Sequence, residues 1–202
     1  AHSVNIPTDR LLSSLPPTPS TPGLLLIGRN PGLEEDRLAR HFVGKLSTVL
    51  HTVLIPGAHL NTLSTLYLTN VARCYHRDGA APPRASFTAC RPKLLTDIRA
   101  LAPLHSPPFN ILCMGAEATS HLCSILGLKS LSLAKALSLQ AKLLMLPAVK
   151  DDPGSRELPL RLFFTYHPAY LDRDHNVLPA MDDHLTLLRS ALLGSLPSPS
   201  RP

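Results

Sequence analysis

Residues 24–37 read LLLIGRNPGLEEDR, and this stretch decides the fold. Four apolar residues run into a turn that contains two glycines and a proline, and three consecutive acids follow. An unbroken apolar run predicts a strand that is buried on both faces, and the Gly-Pro turn ends it. A turn of this kind, directly after a buried strand, is expected to present backbone and one polar side chain, Asn30, to a ligand.

Apolar runs alternate with helical periodicity along the rest of the chain. Strands are predicted at residues 24–27, 66–71, 109–114 and 162–166, with a further short strand as an option at 143–146, and helices at 44–55, 84–101, 116–126 and 181–193. This alternation predicts an α/β fold, a three-layer α/β/α sandwich around a central four-stranded, mostly parallel sheet. Ligands bind such sheets at the carboxyl ends of the strands, where the turn at residues 28–32, Asn70 and His167 all fall.

The composition suits a single domain that binds a polyanion. A chain of 202 residues with a hydrophobic fraction of 44% is long enough to bury a sizeable core. The formal charge of +6 favours a polyanionic partner, with a merely basic protein as the alternative. We predict a Pro-rich N-terminal linker at residues 1–23, one domain at 24–194 and a Pro/Ser tail at 195–202.

The same sequence favours a reducing compartment. Four cysteines do not make a disulfide scaffold, and no stretch is apolar enough to span a membrane. The opening residues AHSVNIPTDR lack the cationic start and apolar run of a secretory signal. We therefore expect a cytoplasmic protein.

Four further stretches join the opening turn in a family resemblance. They are the continuation to HFVGK at residues 41–45, YLTNVARCY at 67–75, ACRPKLLTDIRALAP at 89–103 and TYHPAYL at 165–171. In this order they resemble the uracil-DNA glycosylase superfamily over about residues 24 to 190, and most closely its family four, the phage polymerase-related type. That family has an acid where this chain has Arg29. The Gly-x-Asn-Pro-Gly turn instead resembles the mismatch-specific and single-strand-selective branches.

The resemblance implies hydrolytic excision of a pyrimidine base that has been flipped out of DNA. Asn30 would position the attacking water, and His167 would donate a hydrogen bond to the departing base; a neutral imidazole suffices for this. Because an amide does not titrate, we predict slow turnover. Asn30 could instead cap its own turn. Glu35 or Asp36 is a substitute general base, or simply part of a solvated helix start.

Four residues are predicted to bind the substrate base: Gly28, Gly32, Phe42 and Asn70. Phe42 would stack on the base or else belong to the core. The Asn70 amide would pair with the Watson–Crick edge, in one orientation for uracil and flipped for cytosine, and the sequence leaves both open. The backbone amides of Gly32 and Leu33 could hold a phosphate or the base carbonyl.

Gly32 bears on the choice of base, because a glycine cannot close off the pyrimidine C5 position. The resemblance therefore implies excision of uracil or of a C5-modified pyrimidine, including modified bases of phage DNA. DNA repair and antiviral defence both remain open as roles.

The DNA-binding candidates are Arg29, Tyr170, Leu171 and Arg173. Arg29 would contact a phosphate or pair with Glu34 or Glu35, while Tyr170 and Leu171 would form a wedge that fills the gap left by the flipped nucleotide. Family four often has a Leu next in sequence, where this chain has Asp172. Further phosphate contacts are expected among scattered cations: Arg73, Arg77, Arg84, Arg91 and Lys93.

Family four carries an iron–sulfur cluster on four cysteines. Cys74 and Cys90 match two of these ligands, but no cysteine precedes residue 74, and Cys113 falls in an apolar strand. Cys74 and Cys90 would be relics, or ligands together with a histidine. We therefore expect no metal or cofactor, and a monomer that acts on single- or double-stranded DNA. The alternatives are a catalytically weak relative that only binds DNA and an unrelated nucleotide-binding α/β protein.

Overall fold

The strand predicted from LLLI lies at the centre of the sheet in the computed structural model. The structure describes residues 5–77, 80–129, 131–150, 152–171 and 173–195. Within these residues the sheet has six strands: β1 Asp9–Arg10, β2 Pro22–Gly28, β3 Thr65–Asn70, β4 Ser106–Met114, β5 Lys142–Leu146 and β6 Leu158–Thr165. Their spatial order is β1-β3-β2-β4-β6-β5.

The four inner strands confirm the predicted parallel sheet. β3, β2, β4 and β6 are mutually parallel, and each overlaps one of the four predicted strands. The strand count differs, because β1 and β5 add an antiparallel edge on each side. β5 is the optional strand at residues 143–146. β1 is only two residues long, which is too short for any periodicity to reveal it.

Helices cover both faces of the sheet, as predicted for a three-layer sandwich. They are α1 Leu33–Leu38, α2 Lys45–Val49, α3 Ile55–Gly57, α4 Leu60–Leu63, α5 Arg84–Leu101, α6 Ala116–Ile125, α7 Leu133–Leu137 and α8 Leu178–Leu192. A π-helical segment, Leu50–Leu54, joins α2 to α3, so the predicted helix at 44–55 is continuous but locally widened. In the described part of the chain, no helix is long and apolar enough to cross a membrane.

Two apolar clusters hold the layers together, and β2 contributes to both. Leu25 and Ile27 point into the cluster under α5, α6 and α7, while Leu24 and Leu26 point into the cluster under α8 and the segment from α2 to α4. Successive strand side chains alternate between the two faces of a sheet, so an unbroken apolar run is what a doubly covered central strand requires.

The N-terminal segment contacts the sheet at several points between residues 6 and 15. Ile6 is buried and its amide donates to the carbonyl of Arg73, and the Ser14 hydroxyl accepts from the amide of Leu66. Residues 1–4 and the tail from 196 lie outside the described residues. The predicted domain boundaries at residues 23 and 194 stay predictions.

The register of the sheet brings the candidate residues to one edge. Gly28 at the end of β2 lies beside Asn70 at the end of β3, and Met114 at the end of β4 lies beside Thr165, two residues before His167. The chain leaves β2 for β3 on one side and later places β4 on the other. This arrangement makes a topological switch point, where a crevice opens outside the strand ends.

Candidate active site

A cavity of about 630 Å³ opens at the carboxyl ends of β2, β3, β4 and β6. Eight of the ten predicted site residues line it: Arg29, Asn30, Gly32, Phe42, Asn70, His167, Tyr170 and Arg173. A second cavity of similar size lies at the amino ends of β4 and β6 and contains none of the ten. Both volumes are within the range of roughly 300–1,000 Å³ that is usual for small-ligand sites, so the predicted residues decide between the two cavities. The first cavity is therefore the candidate active site.

Asn30 uses both ends of its amide inside the turn. Its Nδ2 donates to the carbonyl of Pro31 at 2.9 Å, and its Oδ1 accepts from Nε of Arg29 at 2.7 Å. The side chain thus stabilises the turn and also lines the cavity. A carbonyl oxygen has two lone pairs, so Oδ1 keeps one acceptor position for a water molecule.

The Glu35 carboxylate ties the Asn30 turn to the loop that carries Phe42. Its Oε2 accepts from the amide of Gly32 at 3.0 Å and its Oε1 accepts from the amide of Gly44 at 2.9 Å. One prediction is corrected here. The Gly32 amide does not face a phosphate, because it already donates to Glu35. Glu35 has a structural role in joining the two segments, and its carboxylate also lines the cavity, so its role as substitute general base stays a prediction.

Phe42 adopts a backbone conformation that is rare for a bulky residue. Its φ is 50°, in the left-handed region, and its carbonyl lies 3.1 Å from Nε2 of His51. This conformation brings the ring to the floor of the cavity, where a Cβ on Gly28 would lie 3.0 Å from Cζ of the ring. The ring packs against the apolar cluster under α8 and also lines the cavity. Unfavourable backbone geometry of this kind clusters at functional sites, which favours a binding role for Phe42 in addition to its packing role.

Gly28 makes room for the cavity floor. A Cβ at this position would lie only 2.5 Å from Oδ1 of Asn70, as well as against the Phe42 ring. Gly28 is not part of the cavity lining. Its predicted substrate contact is therefore corrected: the absence of a side chain lets Asn70 and Phe42 approach each other.

Asn70 is held by a neighbour that the motifs do not reveal. The side chain is 3% exposed, and its Nδ2 lies 3.0 Å from Nδ1 of His41. Nε2 of His41 in turn lies 2.9 Å from the carbonyl of Pro7. Burial is the largest cause that lowers the pKa of His41, to about 4, so the ring is neutral.

His167 presents one nitrogen to the cavity as a donor. Its Nδ1 accepts from the amide of Ala169 at 3.2 Å, so in the neutral ring Nε2 carries the hydrogen. Burial lowers the pKa of His167, and the charges of Arg29 and Arg173 lower it further. Gly115 allows the ring its position, because a Cβ there would lie 3.1 Å from Cβ of His167. The geometry thus supplies the neutral hydrogen-bond donor that the sequence predicts.

The cations around the cavity differ in how free they are to bind DNA. Arg29 pairs with Glu117 at 2.5 Å, and not with Glu34 or Glu35 as the sequence suggests. The predicted phosphate contact at Arg73 is wrong, because this side chain is buried and paired with Asp97. The Arg29–Glu117 pair is partly exposed at the rim of the cavity, so a phosphate can compete for the arginine.

The predicted wedge is reduced to one residue. Tyr170 is 46% exposed at the cavity, and its ring centroid lies 6.0 Å from that of Tyr166. Leu171 is only 8% exposed and belongs to the apolar cluster under α8. Its DNA contact is therefore corrected, because a 3₁₀ turn at Pro168–Tyr170 directs Leu171 into the core. Asp172 lies outside the described residues.

The two cysteines that match family cluster ligands lie close together. Sγ of Cys90 accepts from the amide of Arg73 at 3.3 Å, next to Cys74 in the chain. Cys113 and Cys123 are buried in the apolar cluster under α5, α6 and α7. Among the described residues, no three or more side chains of His, Cys, Asp or Glu are placed to hold a metal ion. The residues present do not fit a four-thiolate cluster.

Sequence reasoning missed three residues that shape this site: His41, Gly115 and Glu117. Gly115 and Glu117 follow β4, and the end of this strand was open to the same reasoning that identified Asn70. The signal for Gly115 was a glycine directly after an apolar run. No sequence signal connects His41 to Asn70, because the two residues lie 29 positions apart and meet only in the fold.

Comparison with known proteins gives the same assignment as the motifs. A family model described as the uracil DNA glycosylase superfamily matches residues 16–189. Similar curated proteins include three Type-4 uracil-DNA glycosylases. That of Pyrobaculum aerophilum is 26% identical over 150 residues, 73% of this chain and 66% of the relative. The Thermotoga maritima protein is 25% identical over 158 residues, 76% and 68% of the two chains. The Sulfurisphaera tokodaii protein is 24% identical over 168 residues, 82% and 68% of the two chains. The match thus spans about two thirds of each relative.

Proposed function

Since the chain belongs to the uracil DNA glycosylase superfamily, we propose that it hydrolyses the N-glycosidic bond of a pyrimidine deoxynucleotide in DNA. The main support for the proposal is that Asn30, Phe42, Asn70 and His167 line one and the same cavity at the strand ends. Such a cavity accepts a base only after the nucleotide has left the stack.

In the reaction, the bond from the sugar C1′ to the base N1 breaks and its electron pair leaves with the base. Water adds its oxygen to C1′, and its released proton balances the departing anion. The free acceptor position on Oδ1 of Asn30 would hold this water. Oδ1 is shared with Arg29 and an amide takes up no proton, so general base catalysis worth roughly 10²–10⁴-fold is missing and turnover is slow.

The departing base is stabilised by a donor and by positive charge. Nε2 of His167 would donate to a base carbonyl oxygen as negative charge develops there. Arg29 and Arg173 act on the His167 ring electrostatically, so their positive field also reaches the base beside it. Because Arg29 stands where the family has an acid, the negative charge of that acid is absent beside the leaving group, and the arginine itself is paired with Glu117.

Phe42 and Asn70 would bind the base, and Gly32 would leave its C5 side open. The Phe42 ring gives a stacking face that accepts any pyrimidine. A side chain at position 32 would meet Oε2 of Glu35 at 2.6 Å, so the turn itself requires a glycine. We assign uracil first, since the named relatives are uracil-DNA glycosylases, and C5-modified pyrimidines as the wider class. Phage DNA contains such modified bases, so a preference for them would mean an antiviral role.

We propose that the chain works without an iron–sulfur cluster or another cofactor. The support is the donor set: no cysteine precedes Cys74 in the sequence to match the other two family ligands, and Sγ of buried Cys90 already accepts from the amide of Arg73. The protein would act as a monomer on single- or double-stranded DNA. A DNA substrate and four free cysteines favour an intracellular, reducing location.

A base-release assay tests the proposal. Oligonucleotides would carry uracil, a thymine mismatch, hydroxymethylcytosine or its glucosylated form, in single and double strands. Asn30→Ala and His167→Ala are compared with Asn61→Ala and His175→Ala, residues that do not line the cavity. We expect release of uracil that falls at least roughly 100-fold in the first pair and stays unchanged in the second. DNA binding without release from any substrate would instead identify a binding-only relative.

A further inference from the structure

His41 links the N-terminal segment to the base-reading Asn70. The side chain is 2% exposed, with Nε2 at 2.9 Å from the carbonyl of Pro7 and Nδ1 at 3.0 Å from Nδ2 of Asn70. A carbonyl oxygen can only accept, so Nε2 must carry the hydrogen of the neutral ring. Nδ1 therefore offers a lone pair, and Nδ2 of Asn70 donates to it.

This contact decides which atom of Asn70 faces the base. Because Nδ2 turns toward His41, Oδ1 turns toward Gly28 and Phe42, where a Cβ on Gly28 would lie 2.5 Å away. Rotating the amide by half a turn would place Oδ1 against the lone pair of Nδ1, with two acceptors facing each other. The cavity floor thus presents a fixed acceptor.

We propose that His41 is a positioning residue that determines base specificity, by holding Oδ1 of Asn70 toward the base. The inference rests on the proposed function. Uracil, thymine and their C5-substituted forms carry a hydrogen on N3, which Oδ1 can accept. Cytosine and its C5-substituted forms carry a lone pair at N3, which Oδ1 repels. His41 thereby narrows the substrate class to pyrimidines that are protonated on N3.

Two substitutions separate this role from mere support of the fold. In His41→Leu the acceptor is lost, so the Asn70 amide is free to rotate. In His41→Gln, Oε1 can accept from Nδ2 of Asn70 while Nε2 donates to the Pro7 carbonyl. The matched control is His105→Leu: His105 is also buried, bonds to the Tyr67 hydroxyl at 3.0 Å and to a backbone carbonyl, and does not line the active-site cavity.

The readout is a ratio of dissociation constants. Single-stranded oligonucleotides carry one 2′-fluoro-2′-deoxyuridine or one 2′-fluoro-2′-deoxycytidine, in which the fluorine slows bond cleavage so that binding is measured by itself. We expect the wild type to favour the uridine oligonucleotide by roughly tenfold or more, since a site that pairs with a donor rejects a base that lacks it. His41→Leu should bring the ratio close to one, and His41→Gln should restore it. His105→Leu should keep the wild-type ratio even if it melts earlier.

Uracil release measured in parallel separates this inference from the proposed function. A wild-type ratio in His41→Leu, or no preference in the wild type, overturns the role of His41, whether or not uracil is released. A preference that His41→Leu abolishes, without any uracil release, supports His41 and overturns the catalytic proposal. If His41→Leu does not fold, His41→Phe replaces it, because the phenyl ring keeps the volume of the imidazole and offers no acceptor to Nδ2 of Asn70.

Discussion

Glu35→Gln tests whether the Asn30 turn and the Phe42 loop must be tied together. The carboxylate accepts from the amides of Gly32 at 3.0 Å and Gly44 at 2.9 Å. Glutamine keeps one acceptor oxygen but turns an N–H group toward the other amide, so one bond is lost and the other becomes neutral. A hydrogen bond to a charged group contributes roughly 1.5–3 kcal/mol. Since Glu35 is partly exposed, we expect a loss of about 1–2 kcal/mol in the free energy of unfolding.

The larger effect of Glu35→Gln should be on rate. A displacement of about 1 Å in a positioning group costs on the order of 100-fold, so we expect single-turnover uracil release to slow by roughly 10- to 100-fold. Urea unfolding and release kinetics are measured on the same preparations. The control is Glu157→Gln, because this exposed carboxylate lies at the second cavity and does not line the active-site cavity; the substitution should change neither quantity.

One result would refute this reasoning. If Glu35→Gln abolishes release and removes the acidic limb of the pH–rate profile while the free energy of unfolding stays unchanged, Glu35 is the general base and not a tie.

Three further results are expected. Gly28→Ala should lower the free energy of unfolding by roughly 1–3 kcal/mol and remove most of the activity, because the new Cβ would lie 2.5 Å from Oδ1 of Asn70. The control is Gly57→Ala, whose Cβ would meet no atom within 4 Å. Equal melting temperatures and activities of the two variants would contradict this prediction. Phe42→Leu should weaken binding to uracil-containing single strands by roughly tenfold or more through lost stacking, and unchanged affinity would place the ring outside the binding site. Burial lowers the pKa of His41 from 6.5 to about 4, so the folded protein binds fewer protons than the unfolded chain in this range. The contribution of His41 to the free energy of unfolding should be fully present above pH 6.5 and fall by roughly 3 kcal/mol as the pH drops to 4. Urea unfolding measured between pH 6.5 and pH 4 should show a smaller loss of stability in His41→Gln than in the wild type.

The central sheet was predictable because burial on both faces leaves a strong signal. The run LLLI can only be accommodated where helices cover each side, and the polar residues at the strand ends, Asn70 and His167, stand out against such runs. The edge strands were harder to find. β1 consists of two polar residues whose pairing with β3 depends on the path of the N-terminal segment.

The sequence predicted most of the residues that line the site, but it did not predict the hydrogen-bond or packing partner of each one. Arg29 pairs with Glu117 across 88 positions of sequence, and Leu171 turns into the core because of a single 3₁₀ turn. The motif marks Asn70 as a base reader, whereas the direction of its amide depends on His41. Such pairings are properties of the folded chain, since they depend on distances of a few ångströms between segments that are far apart in sequence.

The most direct test of the glycosylase assignment is single-turnover release of free uracil from a single-stranded oligonucleotide, measured for the wild type and His167→Ala. We expect the wild type to yield free uracil and an abasic site in equal amounts, and His167→Ala to slow release at least roughly 100-fold while still binding the oligonucleotide. Equal release by both proteins, or no release by the wild type at any enzyme concentration, would contradict the assignment of this cavity as the active site.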